Sequence, residues 1–205
     1  MPGLPTRIEV LRATERFCER SGVDALSLAA VARLMDVASA QVAAIFHDET
    51  SLLDAVLERH QARYERAWEE RLPSVETARA ALHLLVSTIA ARTRDDDGGP
   101  AYVAICAQMC TSPRFSLTGR PATTTPAALK LIGKLMPHSL VPFPLIPARF
   151  ERFALVMFGS IIAWHRQGQS RMPEAVLVEE LVDCLSFLGL TAPSEEVRGV
   201  LDAHA

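Results

Sequence analysis

A surplus of positive charge is absent from this sequence. Its 205 residues carry 21 Lys and Arg against 24 Asp and Glu, a formal net charge of −3. A globally basic polyanion binder is thereby excluded, and any contact with nucleic acid is left to local geometry. Cysteine is sparse too. Cys18, Cys106, Cys110 and Cys184 form neither a CxxC pair nor a Cys/His cluster at zinc spacing, so no metal site is expected. No secretory leader precedes them, and reduced thiols in a cytoplasmic protein are the expectation. Long apolar runs are missing: residues 153–164, an uncharged stretch of the C-terminal half, number 12. About 20 are needed to span a bilayer, so no membrane partner is expected. HExxH, GxSxG, GxGxxG and P-loop patterns are also lacking, and the six histidines show no metal-ligand pairing. An enzyme is not indicated, and no cofactor is called for.

What is present is apolar and helical in its spacing. With 49% apolar residues the chain can bury a substantial core as one domain, or as one domain with a small appendage. Ile8, Leu11, Phe17 and Cys18 recur at helical spacing and stop at Ser21-Gly22, where glycine ends a first helix. Ser27 then caps a short second helix over residues 28–35. A break at Asp36-Val37 leads to a third over residues 39–46. After Asp48 to Ser51, a long fourth helix carries Leu52, Leu53, Val56, Leu57, Tyr64 and Trp68 as far as Pro73. Further helices are read over residues 75–94, 101–110 and 127–136, with Pro-rich connectors at 111–126 and 137–147. Two long helices, residues 148–167 and 174–188, close the chain. No β-alternation and no repeat appears, so the fold class is all-α.

Three finer readings concern the middle and the end. The run Asp95-Asp96-Asp97-Gly98-Gly99-Pro100 reads as a solvated turn rather than a metal site. Cys106 and Cys110, four apart on an uncharged helix, read as inert core thiols rather than a redox pair. The first closing helix is apolar nearly all round, with Phe150, Phe153, Met157, Ile161 and Trp164 on one side and Leu155, Val156, Gly159, Ile162 and Ala163 on the other. Both sides must be covered, either by a second subunit in a two-fold dimer or by the chain's own core in a monomer.

A short helix, a tight break and a second short helix behind an amphipathic one form the helix-turn-helix plan. The run from Ser27 through Leu28-Ala29-Ala30-Val31-Ala32-Arg33-Leu34-Met35-Asp36-Val37, followed by Val42, Phe46, Leu52-Leu53 and Ala55-Val56, resembles the N-terminal domain of the TetR family of transcriptional regulators. The likeness in residues covers about the first 60 positions, and the remainder matches in helix number and length. It implies a three-helix DNA-binding head, residues 1–48, joined to a helical ligand-binding and dimerisation bundle, residues 49–205. It implies a cytoplasmic, homodimeric repressor that binds double-stranded operator DNA and is released by a small hydrophobic ligand. The DNA-facing residues would then be Arg7, Ser27, Arg33, Ser39, Ala40, Gln41 and Ala44, with Gln41 able to read adenine. The ligand would be lined by Tyr102, Gln108, Met109, Phe143, Phe158 and His165.

Departures from the family pattern carry their own implication. Ala43 stands where members usually have a phosphate-contacting Tyr, and Glu49 where they have a base. Between Ser27 and Leu53 one basic residue, Arg33, faces three acids, Asp36, Asp48 and Glu49. Such a face repels phosphates. Arg7 and Arg12 of the first helix, Ser27, Ser39 and backbone amides at helix starts are the available compensation. Taken alone, the two arginines read as solvated and the two serines as caps. The alternative function is therefore a protein of the same fold with weakened DNA binding, acting as a ligand-binding or protein-interaction module.

Overall fold

The computed structural model describes residues 4–118, 120, 125–168 and 172–203, and every regular element in it is helical. Helix α1, Arg7–Ser21, opens with a reciprocal cap in which Thr6 Oγ1 accepts the Glu9 amide and the Glu9 carboxylate accepts the Thr6 amide. It stops at Gly22, whose φ of +83° lets its N–H turn back to the Cys18 carbonyl at 2.9 Å. Val10, Leu11, Ala13 and Cys18 face inward, while Ile8, expected on that stripe, is 40% exposed. Helix α2, Leu28–Leu34, is capped by Ser27, whose hydroxyl accepts the Ala30 amide at 3.1 Å. Asp36 takes φ +55°, a left-handed position that Asp tolerates, and so reverses the chain. Helix α3, Ser39–Ala43, is shorter than its sequence pattern suggested and ends before Phe46 turns into the core.

Helix α4, Glu49–Arg71, starts from an Asp48 cap and sends Leu52, Leu53, Val56, Leu57, Tyr64 and Trp68 into one continuous hydrophobic core. That core runs from the head into the body, so α4 is its spine. Helix α5, Ala78–Arg92, is trimmed at its start by the Thr77 cap. Helix α6, Gly99–Met109, begins two residues before its expected start, because Gly98 at φ +86° turns the chain and Pro100 sits in the first turn. Helix α7, Pro126–Leu135, is followed by two short 3₁₀ turns through the Pro-rich connector.

Helices α8, Ile146–Arg166, and α9, Glu174–Leu190, pack on each other, α8 also covering α6 and α9 covering α5. Helix α10, Glu195–Asp202, an amphipathic helix capped by Ser194, is not among the helices read from the sequence. On α8 the inner face is Met157, Phe158, Ile161, Ile162 and Trp164. Ile162, assigned by its spacing to the opposite face, is thus core. Leu155 and Ala163 remain on the outer side, with Val176 and Phe187 of α9 exposed by 45% and 67%. Among the described residues no helix is long and apolar enough to cross a membrane.

Candidate functional site

The outer surface of α3 is small and uncharged. Ser39, Ala40, Ala43 and Ala44 are exposed there, and Arg33 is exposed on the neighbouring α2. Ser39 does not cap α3, since the N-cap is Ala38; Gln41 Oε1 accepts the Ala38 amide at 3.2 Å, which leaves the Gln41 NH₂ for an outside acceptor. Ser27 spends its hydroxyl as the α2 cap. Arg7 stands apart from this group, its guanidinium 4.7 Å over the Phe46 ring.

The two helix starts bordering α3 already hold carboxylates of the chain itself. At α2 the Leu28 amide donates to Glu49 Oε1 at 3.4 Å, and at α4 the Ser51 amide donates to Asp48 Oδ1 at 2.7 Å. The Ser51 hydrogen bond holds the Asp48 carboxyl below its usual range. Arg114 reaches across from the loop after α6, donating to the Leu26 carbonyl at 2.7 Å and standing 3.6 Å from Glu49. Helix N-termini attract anions, and here that attraction is met internally.

Behind the head lies a charged seam. Glu15 of α1, 3% exposed, is paired with Arg59 and with His60 of α4, the His60 Nε2 contact being 2.7 Å. Arg92 Nη2 approaches His60 Nδ1 at 2.9 Å. A guanidinium can only donate, so Nδ1 accepts, and the proton of a neutral imidazole sits on Nε2, facing Glu15. Burial pushes the His60 pKa below its usual value despite the pull of Glu15. Asp95 and Asp97 are not a solvated turn: Asp95 pairs with Arg63 and Arg92, and Asp97 with Arg12, Arg59 and Arg63. Arg12 is exposed, as expected, and also pairs with Asp97. Arg63 first, with Arg12 and Arg59, holds the Asp97 carboxyl well below the carboxylate range.

Since His60 is neutral in the folded chain, the unfolded chain binds one more proton once pH drops below about 6.5. Stability is therefore complete above that value and declines as pH falls toward the lowered folded pKa. Melting temperatures followed from about pH 7.5 to about pH 5.5 should fall by several degrees, and His60→Asn should flatten that slope.

The body holds an aromatic cluster. Tyr102 of α6 and Tyr64 of α4 share a hydroxyl–hydroxyl hydrogen bond, with Trp68 5.0 Å from the Tyr64 ring and Phe158 6.4 Å from the Tyr102 ring. Met109 is buried in the same core. Trp68 Nε1 and Glu65 Oε1 are buried without a hydrogen-bond partner. Gln108 lies elsewhere, accepting the Val23 amide at 2.9 Å and donating to the Cys18 carbonyl, so it ties α6 to the head. Phe143 does not join the cluster, being 84% exposed, and His165 is half-buried near the end of α8. Two surface concavities, one of about 230 Å³ beside Ser74 and His83 and one of about 310 Å³ beside Leu145 and Val200, are not lined by Tyr102. Cys106 is fully buried, which raises its thiol pKa, and burial lifts Cys110 to about 11, so neither is a reactive thiolate. Sequence reasoning missed Glu15, Arg59, His60 and Arg92; only the spacing of His60, Tyr64 and Trp68 along α4 hinted at a shared face.

No family model matches the chain, and no curated protein does. Solved structures resemble it. The fatty acid degradation regulator FadR from Bacillus halodurans superposes with a TM-score of 0.51 at 12% identity, over 90% of this chain and 96% of that one. FadR from Bacillus subtilis, solved in complex with stearoyl-CoA, gives 0.50 at 13% identity over 92% and 100%. A TetR-family transcriptional regulator from Streptomyces coelicolor gives 0.46 at 19% identity over 89% and 97%. At such identities the likeness is one of fold: the all-helical fold of this chain resembles that of the two FadR regulators.

Proposed function

We propose that the chain is a ligand-responsive transcriptional regulator, acting in the cytoplasm as a homodimeric repressor that docks α3 in the major groove of operator DNA. The observation that carries this reading is α3 itself: a short helix presented by the α2–Asp36 turn, with Ser39, Ala40 and Ala44 open and one Gln41 amide group unspent. Residues 1–48 act as the head and residues 49–205 as the body. The outer sides of α8 and α9, with Leu155, Ala163, Val176 and Phe187, supply the apolar surface for a second copy. Tyr102, Met109 and Phe158, joined by Tyr64 and Trp68, make the ligand core, where the unpartnered Trp68 N–H favours a ligand bearing an acceptor oxygen. Stearoyl-CoA on the Bacillus subtilis neighbour suggests an acyl chain as the first compound to try.

A second reading is favoured by Glu49 and Asp48, which occupy the two amide sites where phosphates would otherwise bind. In it, the fold persists as a ligand-binding or protein-interaction module. Binding to duplex DNA from the region upstream of its own gene, compared with random duplex at several salt concentrations, separates the two. The regulator binds its own region selectively, and Gln41→Ala weakens that binding about tenfold. Equal, feeble affinity for every duplex establishes the second reading instead.

A further inference from the structure

Asp97 is held by three guanidiniums drawn from two helices. Arg12 of α1 contacts Oδ1 through Nη2 at 3.0 Å and Nε at 3.3 Å, while Arg59 and Arg63 of α4 close on Oδ1 and Oδ2. The loop is drawn tight around this point, since the Asp97 amide donates to Asp95 Oδ1 at 2.9 Å. The next residue, Gly98, lies so near α1 that a Cβ there would stand 2.5 Å from Glu15 Oε2. Helix α6 starts immediately afterwards and carries Tyr102 into the aromatic core. At its far end Gln108 bonds the head again through Val23 and Cys18.

The seam thus divides into two kinds of contact. Glu15, Arg59 and His60 form its buried part, where loss of a partner is costly. Asp97 has a side chain 31% exposed, and Arg12 and Arg63 are 53% and 39% exposed, so these pairs add little to stability. What they add is direction. Apolar packing between α1 and α6 is non-directional, whereas a carboxylate gripped by planar guanidiniums from two helices fixes their relative angle. We propose that Asp97 is the positioning residue that sets the attitude of the α1–α3 head on the body, acting through Arg12 on one side and Arg59 and Arg63 on the other.

The inference concerns the head whatever it docks against, so its test uses no DNA. Spin labels are placed on Ala43→Cys in the head and Ser74→Cys beyond the far end of α4, with Cys110 and Cys184 replaced by serine. Labelled chain is diluted in excess unlabelled chain so that only distances within one molecule are read. Asp97→Asn is expected to broaden that distance distribution at least about twofold, with a melting temperature close to the parent's, and Asp97→Glu to restore much of the width. A residue of purely structural role would move the melting temperature and leave the width alone. An unchanged width in folded Asp97→Asn overturns the proposal. Should that variant not fold, Arg12→Gln with Arg63→Gln removes the same grip from the opposite side, and an unchanged width there overturns it equally. Because the readout is independent of DNA, a chain that ignores every duplex defeats the regulator reading and leaves this one standing.

Discussion

Replacing Glu15 by alanine is expected to cost the chain about 3–5 kcal/mol, the range for breaking a buried ion pair by removing one partner. The reason is what remains behind. Arg59 keeps a side chain only 10% exposed, and His60 is wholly buried with its Nε2–H aimed at the missing oxygen. Asp97 still neutralises Arg59 from the solvent side, yet nothing else among the described contacts accepts the His60 proton. Urea unfolding should show a lowered midpoint with an unchanged slope. A loss below about 1 kcal/mol would mean that the seam behaves like an exposed salt bridge.

Gly99→Ala is expected to be equally severe for a different reason. A Cβ built at Gly99 falls 1.9 Å from the Arg92 carbonyl oxygen, 3.0 Å from its carbon and 2.9 Å from Asp95 Cβ. The carbonyl is backbone at the end of α5 and already accepts the Asp95 amide at 3.0 Å, so it cannot swing aside without opening the turn. Relieving that clash means rebuilding packed backbone at the start of α6, and a loss of about 3 kcal/mol or more follows. Thermal unfolding followed by circular dichroism reads it directly, and a near-normal melting temperature would show that the turn relaxes cheaply.

Local chemistry explains which elements could be read from sequence. Gly22, Ser27 and the Asp48–Ser51 pair act on amides or carbonyls within four residues, and each marks a helix end where its residue type says it should. Helix α10 escaped although its Ser194 cap and the i, i+3, i+4 spacing of Val197, Val200 and Leu201 mark a short amphipathic helix after Pro193. The acidic turn was misread because most of its partners are remote in sequence: Arg92 lies three residues before Asp95, but Asp97 meets Arg59 and Arg12 across 38 and 85 positions. Gln108 reaches the head across a similar span. Phe143 illustrates the opposite error, for a residue assigned to the ligand lining through the resemblance is left in water by the chain.

Glu49 on the α2 amide has a further consequence for selectivity. On the proposed regulator reading, a DNA phosphate arriving at that spot would meet a built-in competitor, tethered to the same molecule and present at high effective concentration. Displacing it imposes the same penalty on every duplex. On that reading, only a sequence offering enough additional base contacts to α3 would recover the difference, and the chain's own acid would trade affinity for discrimination.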